Sequence, residues 1–163
     1  MENIHSNILL FNNALSNERK ESVLSFVPNS VAEQGLLAFN HMKLNKKSLP
    51  PEMFVIETIL IDDIVDYLPK RNDGTEFRQA IMKVDIEGFE PFAFEHASLL
   101  FDRVDIRVVI MEWFVVITIK ERDLLLKMMD FFYSRSYLPH SLNSTLLEKD
   151  KYEQWPRDIA WMK

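Results

Sequence analysis

The 163-residue chain contains no cysteine. Disulfides, thiolate zinc sites and a cysteine nucleophile are excluded on that ground. Glycine is almost as scarce: Gly35, Gly74 and Gly88 are its three glycines, where an average usage of ~7% would give about eleven. They lie too far apart to build a loop that cradles a phosphate or a nucleotide. Long apolar runs are missing as well. Residues 8–11 are far shorter than a secretory signal core and have neither a basic flank nor a small-residue cleavage site. Nothing approaches the ~20 apolar residues of a membrane span, because the longest such stretch, residues 108–119, is interrupted by Glu112. These absences make a cytoplasmic location the expectation. Positive charge is also in short supply, with a formal net charge of -6. The densest basic cluster, Lys43, Lys46 and Lys47, reads as a solvated loop, so no nucleic-acid-binding face is expected.

What is present describes one domain of ordinary size. Hydrophobic residues make up 47% and charged residues 27%, the balance of a soluble globular chain with a single core. Residues 7–12 form a short apolar run ending in Asn-Asn, a pattern for a buried strand and a polar turn. Residues 21–27 alternate around Val23, Phe26 and Val27, as an edge strand or hairpin arm does. Residues 29–51 have no clear period and read as a long loop. The β-branched run 54–61 predicts a strand, and Asp62 an N-cap for a short helix over 63–68 that stops before Pro69.

The clearest unit follows. Residues 80–86 predict a strand, Glu87-Gly88 a turn, and Pro91 the first turn of a helix reaching about residue 102. Phe92, His96, Leu99 and Leu100 would form its inward stripe, with His96 a hydrogen-bonded core histidine. Strand 104–113, helix 122–134 and short strands over 137–142 and 158–162 complete the series. In the long helix Leu125, Leu126, Met129 and Phe132 or Tyr133 are expected inward. Strand, helix, strand, helix with largely apolar strands predicts an α/β layer with a mainly parallel sheet.

Ligands of open α/β sheets bind beyond the carboxyl ends of the strands. That points to Asp85, Glu87 and Gly88 after one strand, Glu112 after the next, and Asn12-Asn13 after the first. Asp85 and Glu87 are two apart, so on extended backbone both carboxylates face one side and suit metal binding, general-base work or a grip on hydroxyl groups. The competing reading is that Asp85 ends the strand and Glu87 caps the following helix. Trp113, Trp155 and Trp161 read as packing residues rather than an acceptor pocket, and Met128-Met129 as helix core. His140, just after Pro139, lies near the expected mouth of the cleft. No Ser-His-Asp order and no metal-ligand cluster is apparent.

The segment Lys83-Val84-Asp85-Ile86-Glu87-Gly88-Phe89-Glu90 closely resembles the Lys-hydrophobe-Asp-hydrophobe-Glu-Gly-x-Glu signature of the FkbM-type methyltransferases. Four further blocks resemble that family's in the same order. They are Asn12-Asn13-Ala14-Leu15-Ser16, Thr58-Ile59-Leu60-Ile61-Asp62-Asp63, His96-Ala97-Ser98-Leu99-Leu100 and Ile110-Met111-Glu112. The resemblance runs from about residue 7 to the end and implies one partial methyltransferase domain over 1–163. The implied fold is a Rossmann-like sheet, mainly parallel with helices on both faces, lacking its first two strands.

The resemblance further implies methyl transfer from S-adenosylmethionine, with O-methylation of a small or glycan-like hydroxyl acceptor. Asp85 and Glu87 would be catalytic, Asp85 as the base that takes the acceptor's proton. Asn13, Ala14, Leu15 and Gly88 would bind the cofactor, and Glu112 and His140 the acceptor. The family's glycine-rich first turn and the acidic residue ending its second strand have no counterpart here. Binding of S-adenosylmethionine by this chain alone is therefore expected to be weak or absent, on the order of a thousandfold down. The strand over 80–86 would be left as an open sheet edge through which the chain self-associates. The alternative is a truncated or degenerate domain without activity that acts as a binding or assembly module.

Overall fold

The computed structural model describes residues 8–26, 34–37, 53–71, 73–118 and 120–163, with the backbone alone at 23–26 and 34–37. The β-branched run anticipated around residues 54–61 is β4 (Met53–Ile59), and a first sheet assembles on it. On one side β1 (Ala14–Leu15) lies parallel to it. On the other β2 (Glu21–Phe26) runs antiparallel to it, and β3 (Gln34–Leu37) runs antiparallel to β2. The strand order is β1-β4-β2-β3. Buried Thr58 locks this arrangement: its hydroxyl donates to the Glu18 carbonyl at 2.6 Å and accepts the Lys20 N–H at 3.0 Å. A 3-10 turn, Ile61–Tyr67, then drops Ile61 and Val65 into the main core.

The second sheet is built from β5 (Gln79–Val84), β6 (Asp105–Glu112), β7 (Leu138–Ser141) and β8 (Asp158–Met162). Its order is β5-β6-β8-β7, with β5 parallel to β6 and β8 antiparallel to both its neighbours. Register sorts the side chains into two faces. One carries Val84, Val109, Met111, Ile159 and Trp161, all buried. It is covered by α1 (Glu90–Phe94), α2 (Ser98–Arg103) and the 13-residue α4 (Arg122–Ser134). Phe94, Phe101 and Phe132 bring those three helices together as one aromatic cluster, and Phe132 stacks on Trp161 at 4.6 Å. The short α3 (Trp113–Val116) buries Trp113 beside Trp155. The opposite face carries Ile81, 73% exposed, Lys83, Leu138 and His140.

The expected mainly parallel Rossmann-like sheet with helices on both faces is therefore not what forms. There are two mixed sheets of four strands each, and in each a single pair of strands is parallel. The physical reason lies in strand return. A β-strand pattern says that a segment is extended but not which neighbour it pairs with, and β2 and β8 both come back antiparallel. Three smaller expectations change too. Among the described part of 7–12 no strand forms, and pairing begins at Ala14. The helix expected over 91–102 is two helices broken at Glu95 to Ala97. Its buried residues are Pro91, Ala93, Phe94, Leu100 and Phe101, with Ala97 at the break, leaving His96 and Leu99 exposed. In α4 Leu126, expected inward, is exposed, while Met128 and Met129 are core as anticipated. Most of the loop expected over 29–51, with Lys43, Lys46 and Lys47, lies outside the described residues, and 34–37 within it is β3.

Candidate functional site

Because β5 and β6 are parallel neighbours, Val84 pairs with Met111 and the two strands end side by side. Asp85 follows β5, and Glu112 is the last residue of β6. The antiparallel return of β8 adds Asp158 directly opposite Glu112. Lys83, two residues before Asp85 and so on the same side of the strand, donates to Asp85 Oδ2 at 2.8 Å. Its ammonium is held above the usual lysine range, first by that hydrogen bond, then by the Asp85 charge, with Asp158 and Glu112 adding to it. Glu112 accepts from Arg157 Nε at 2.8 Å and is largely covered, whereas Asp85 is half-exposed. The cluster thus presents two accessible carboxylates, Asp85 and Asp158, beside an ammonium, with Glu112 largely covered behind them.

The turn that follows departs from the expected geometry. Glu87 has φ +56° and Gly88 φ +89°, so the chain leaves the extended state after Asp85. The spacing of two does not put both carboxylates on one strand face as expected. Glu87 is not the N-cap of α1 either. The N-cap is Phe89, with no side-chain cap. Instead Glu90, 1% exposed, folds back and accepts the Ile86 N–H at 3.1 Å. Gly88 is buried at the centre of this turn.

The remaining predicted residues are placed elsewhere. Asn13, Ala14 and Leu15 belong to the first sheet. Asn13 Nδ2 donates to the Glu57 carbonyl at 3.2 Å, Ala14 and Leu15 pair with Thr58 and Ile59, and Leu15 packs against the core. Asn13 lines a cleft of about 490 Å³ with Phe11, Ile59 and Tyr67 among its walls, and Phe11 and Tyr67 meet edge to face at 5.4 Å. None of the cleft's walls belongs to the 85–88 turn. His140 sits on β7 in the row Lys83, Ile110, Ala160, His140. Three strand spacings, about 14 Å, separate it from Lys83, and its Nδ1 lies 3.0 Å from the Leu138 carbonyl. The structure therefore gathers Asp85, Glu112 and the Glu87-Gly88 turn, and leaves Asn13, Ala14, Leu15 and His140 apart from them.

The Thr58 to Asp63 block is a structural fastening. Besides Thr58, Asp62 Oδ1 accepts the Leu100 N–H at 2.9 Å, capping α2 rather than its own turn. Asp63 accepts the Leu60 N–H and a bidentate bond from Arg19. The Arg19 bond, ahead of the other influences, holds Asp63 below the usual carboxylate range. The sequence reading assigned no role to Lys83, Arg157, Asp158 or Glu90. The two-residue spacing from Lys83 to Asp85 was a usable signal. Nothing local marks Arg157 or Asp158, which arrive only through the pairing of β8. Among the described residues no three His, Asp or Glu side chains converge to hold a metal ion.

Comparison of the chain with protein-family models, with curated proteins and with solved structures finds no match in any of the three. The site must accordingly be read from its own chemistry and from the motif resemblance.

Proposed function

We propose that the chain acts in methyl transfer from S-adenosylmethionine to a hydroxyl group of a small or glycan-like acceptor. The observation that carries this reading is the position of Asp85. It is a half-exposed carboxylate at the carboxyl end of a parallel strand pair, inside the segment that resembles the FkbM-type signature. In the reaction the acceptor oxygen attacks the sulfonium methyl in line. The new O–C bond forms as the S–C bond breaks, and the acceptor's proton passes to Asp85. Lys83, already bonded to Asp85, orients that carboxylate. The cleft beside Asn13, with Phe11 and Tyr67 in its walls, is where an aromatic base would find stacking surface.

The test is labelled methyl transfer to a panel of simple sugars and alcohols, run beside calorimetric titration with S-adenosylmethionine. Cofactor binding is expected to be feeble, with Kd around 1 mM. Asp85→Asn is expected to lower transfer by about a hundredfold or more while leaving that Kd within about threefold. Transfer unchanged in the variant, or absent from the parent chain, removes this reading.

A second reading is favoured by the edge position of β5: a module that assembles with a second copy of itself. Lys83 is the single charge on β5, and Ile81 stands 73% exposed. Such a strand lacks the prolines and clustered charges that normally blunt an edge. Two copies of one edge laid antiparallel satisfy each other by symmetry. Sedimentation of the chain is expected to show a mass rising with concentration, and Ile81→Lys to shift it towards monomer. A monomer at every concentration rejects the second reading and leaves the first standing.

A further inference from the structure

Glu90 opens α1 with its side chain 1% exposed, a degree of burial that acidic residues rarely reach unless they are paired. One oxygen is accounted for by the Ile86 N–H, at 3.1 Å from Oε1. The other, Oε2, is buried with no hydrogen-bond partner. The loop folded around this carboxyl is the one that carries Asp85 and Glu87, and its backbone passes through two successive left-handed residues, Glu87 at φ +56° and Gly88 at φ +89°. That conformation costs a residue with a Cβ, and it persists only where its surroundings hold it. The turn closes on its own bond from the Phe89 N–H to the Ile86 carbonyl at 3.2 Å, and the Glu90 carboxyl braces it further through the Ile86 N–H.

We propose that Glu90 is a proton-operated pin for the 85–88 turn. Ionised, it grips the Ile86 N–H; protonated, it loosens that bond and lets Asp85 and Glu87 reorient. As regulation of methyl transfer this rests on the function proposed above, whereas the loosening itself is independent of it. An ionised carboxylate accepts hydrogen bonds roughly twice as strongly as a neutral one. Protonation weakens the grip and places an O–H on Oε2, where the structure offers no acceptor.

The group titrates where this matters. Burial, the largest influence, pushes the Glu90 carboxyl up to about 6; the backbone N–H groups of Glu90, Ile86 and Gly88 oppose the rise and the Asp85 charge adds to it. The other charged groups around the turn are Glu87 within it and Lys83, committed to Asp85. Glu112 at the end of β6 is tied to Arg157, and from the α1/α4 contact Glu95 faces Lys127 at 3.9 Å. Among all of them Asp85 alone bears on Glu90 strongly enough to shift it.

The experiment is an amide and side-chain carboxyl NMR titration of the labelled 163-residue chain between pH 4.5 and 7.5, without cofactor or acceptor. The Glu90 carboxyl and the Ile86 and Gly88 amides are expected to follow one midpoint near 6, and amide exchange at Ile86 to quicken below it. Glu90→Gln is expected to flatten both amide curves. Stability supplies the second readout and has a definite sign. A carboxyl whose folded affinity for the proton lies above its unfolded value of 4.5 stabilises the fold fully below pH 4.5. That contribution is lost as the pH rises through 6, a factor of about 30 in the folding equilibrium. Amides that stay flat in the parent chain overturn the proposal, as does an identical curve in Glu90→Gln. If Glu90→Gln does not fold, the parent's own carboxyl midpoint decides, and a value at or below 4.5 overturns it.

Discussion

The two sheets contain equal numbers of strands but bury them very differently. In β8 Ile159, Ala160 and Trp161 are all buried, and Trp161 lies among Phe132, Tyr133, Trp113 and Trp155. In β4, the hub of the first sheet, Phe54 and Val55 face solvent and the one buried side chain is Thr58. The second sheet is held by apolar packing under three helices. The first is held at its described residues by its backbone ladder, β1 and β2 on β4 and β3 on β2, to which the Thr58 and Asn13 side chains add single bonds. The two differ in what a substitution can remove. Packing energy resides in side-chain volume, whereas ladder energy resides in backbone that substitutions leave in place.

The sharpest way to break this comparison is Trp161→Ala set against Phe54→Ala. Deleting the indole from the aromatic cluster is expected to cost about 3–5 kcal/mol. Removing the half-exposed Phe54 ring is expected to cost under about 1 kcal/mol. Urea unfolding followed by far-UV circular dichroism measures both, and equal losses would show that the first sheet has a packed core of its own. A smaller effect tests the joint between the regions. Asp62→Ala removes the acceptor that the first sheet's turn lends to the Leu100 N–H of α2. A loss of about 1 kcal/mol is expected in the same assay. A cost below about 0.3 kcal/mol would mean that water replaces this cap without penalty.

The second region was far more legible in the sequence than the first, for a physical reason. Residues 122–134 and 158–162 appear with the boundaries anticipated, because a 3.6-residue stripe and a short apolar run each meet a complete apolar layer. Residues 7–12 offered the same kind of apolar run, yet Ile8, Leu9 and Leu10 lie exposed and pairing starts only at Ala14. An apolar run forms a strand only where a partner edge is available, and that is a non-local fact. The break between α1 and α2 was hidden for a related reason. The cap that starts α2 comes from Asp62, 38 residues upstream, so no local pattern announced it. At the site, the Lys83-Asp85 pair was readable because the two residues are local in sequence, at and just past the end of β5. Its companions Arg157 and Asp158 were not, since they join it only when β8 folds back antiparallel. Glu90 lay in plain view within the signature segment, but its burial depends on a turn whose left-handed residues sequence alone does not announce.

The tryptophan cluster makes the molecule's intrinsic light emission a one-sided reporter. All three tryptophans of the chain meet in the second region, with ring centroids 4.8, 5.7 and 6.5 Å apart. Trp113 and Trp155 donate their ring N–H groups to the carbonyls of Tyr152 and Glu148. Indoles so enclosed emit at short wavelength and shift to the red when water reaches them. They also share excitation across such distances, so the three respond as one chromophore. An emission-detected melt therefore records the opening of β6, β8 and their helices. The sheet on β4, which contains no tryptophan, can come apart without changing the spectrum.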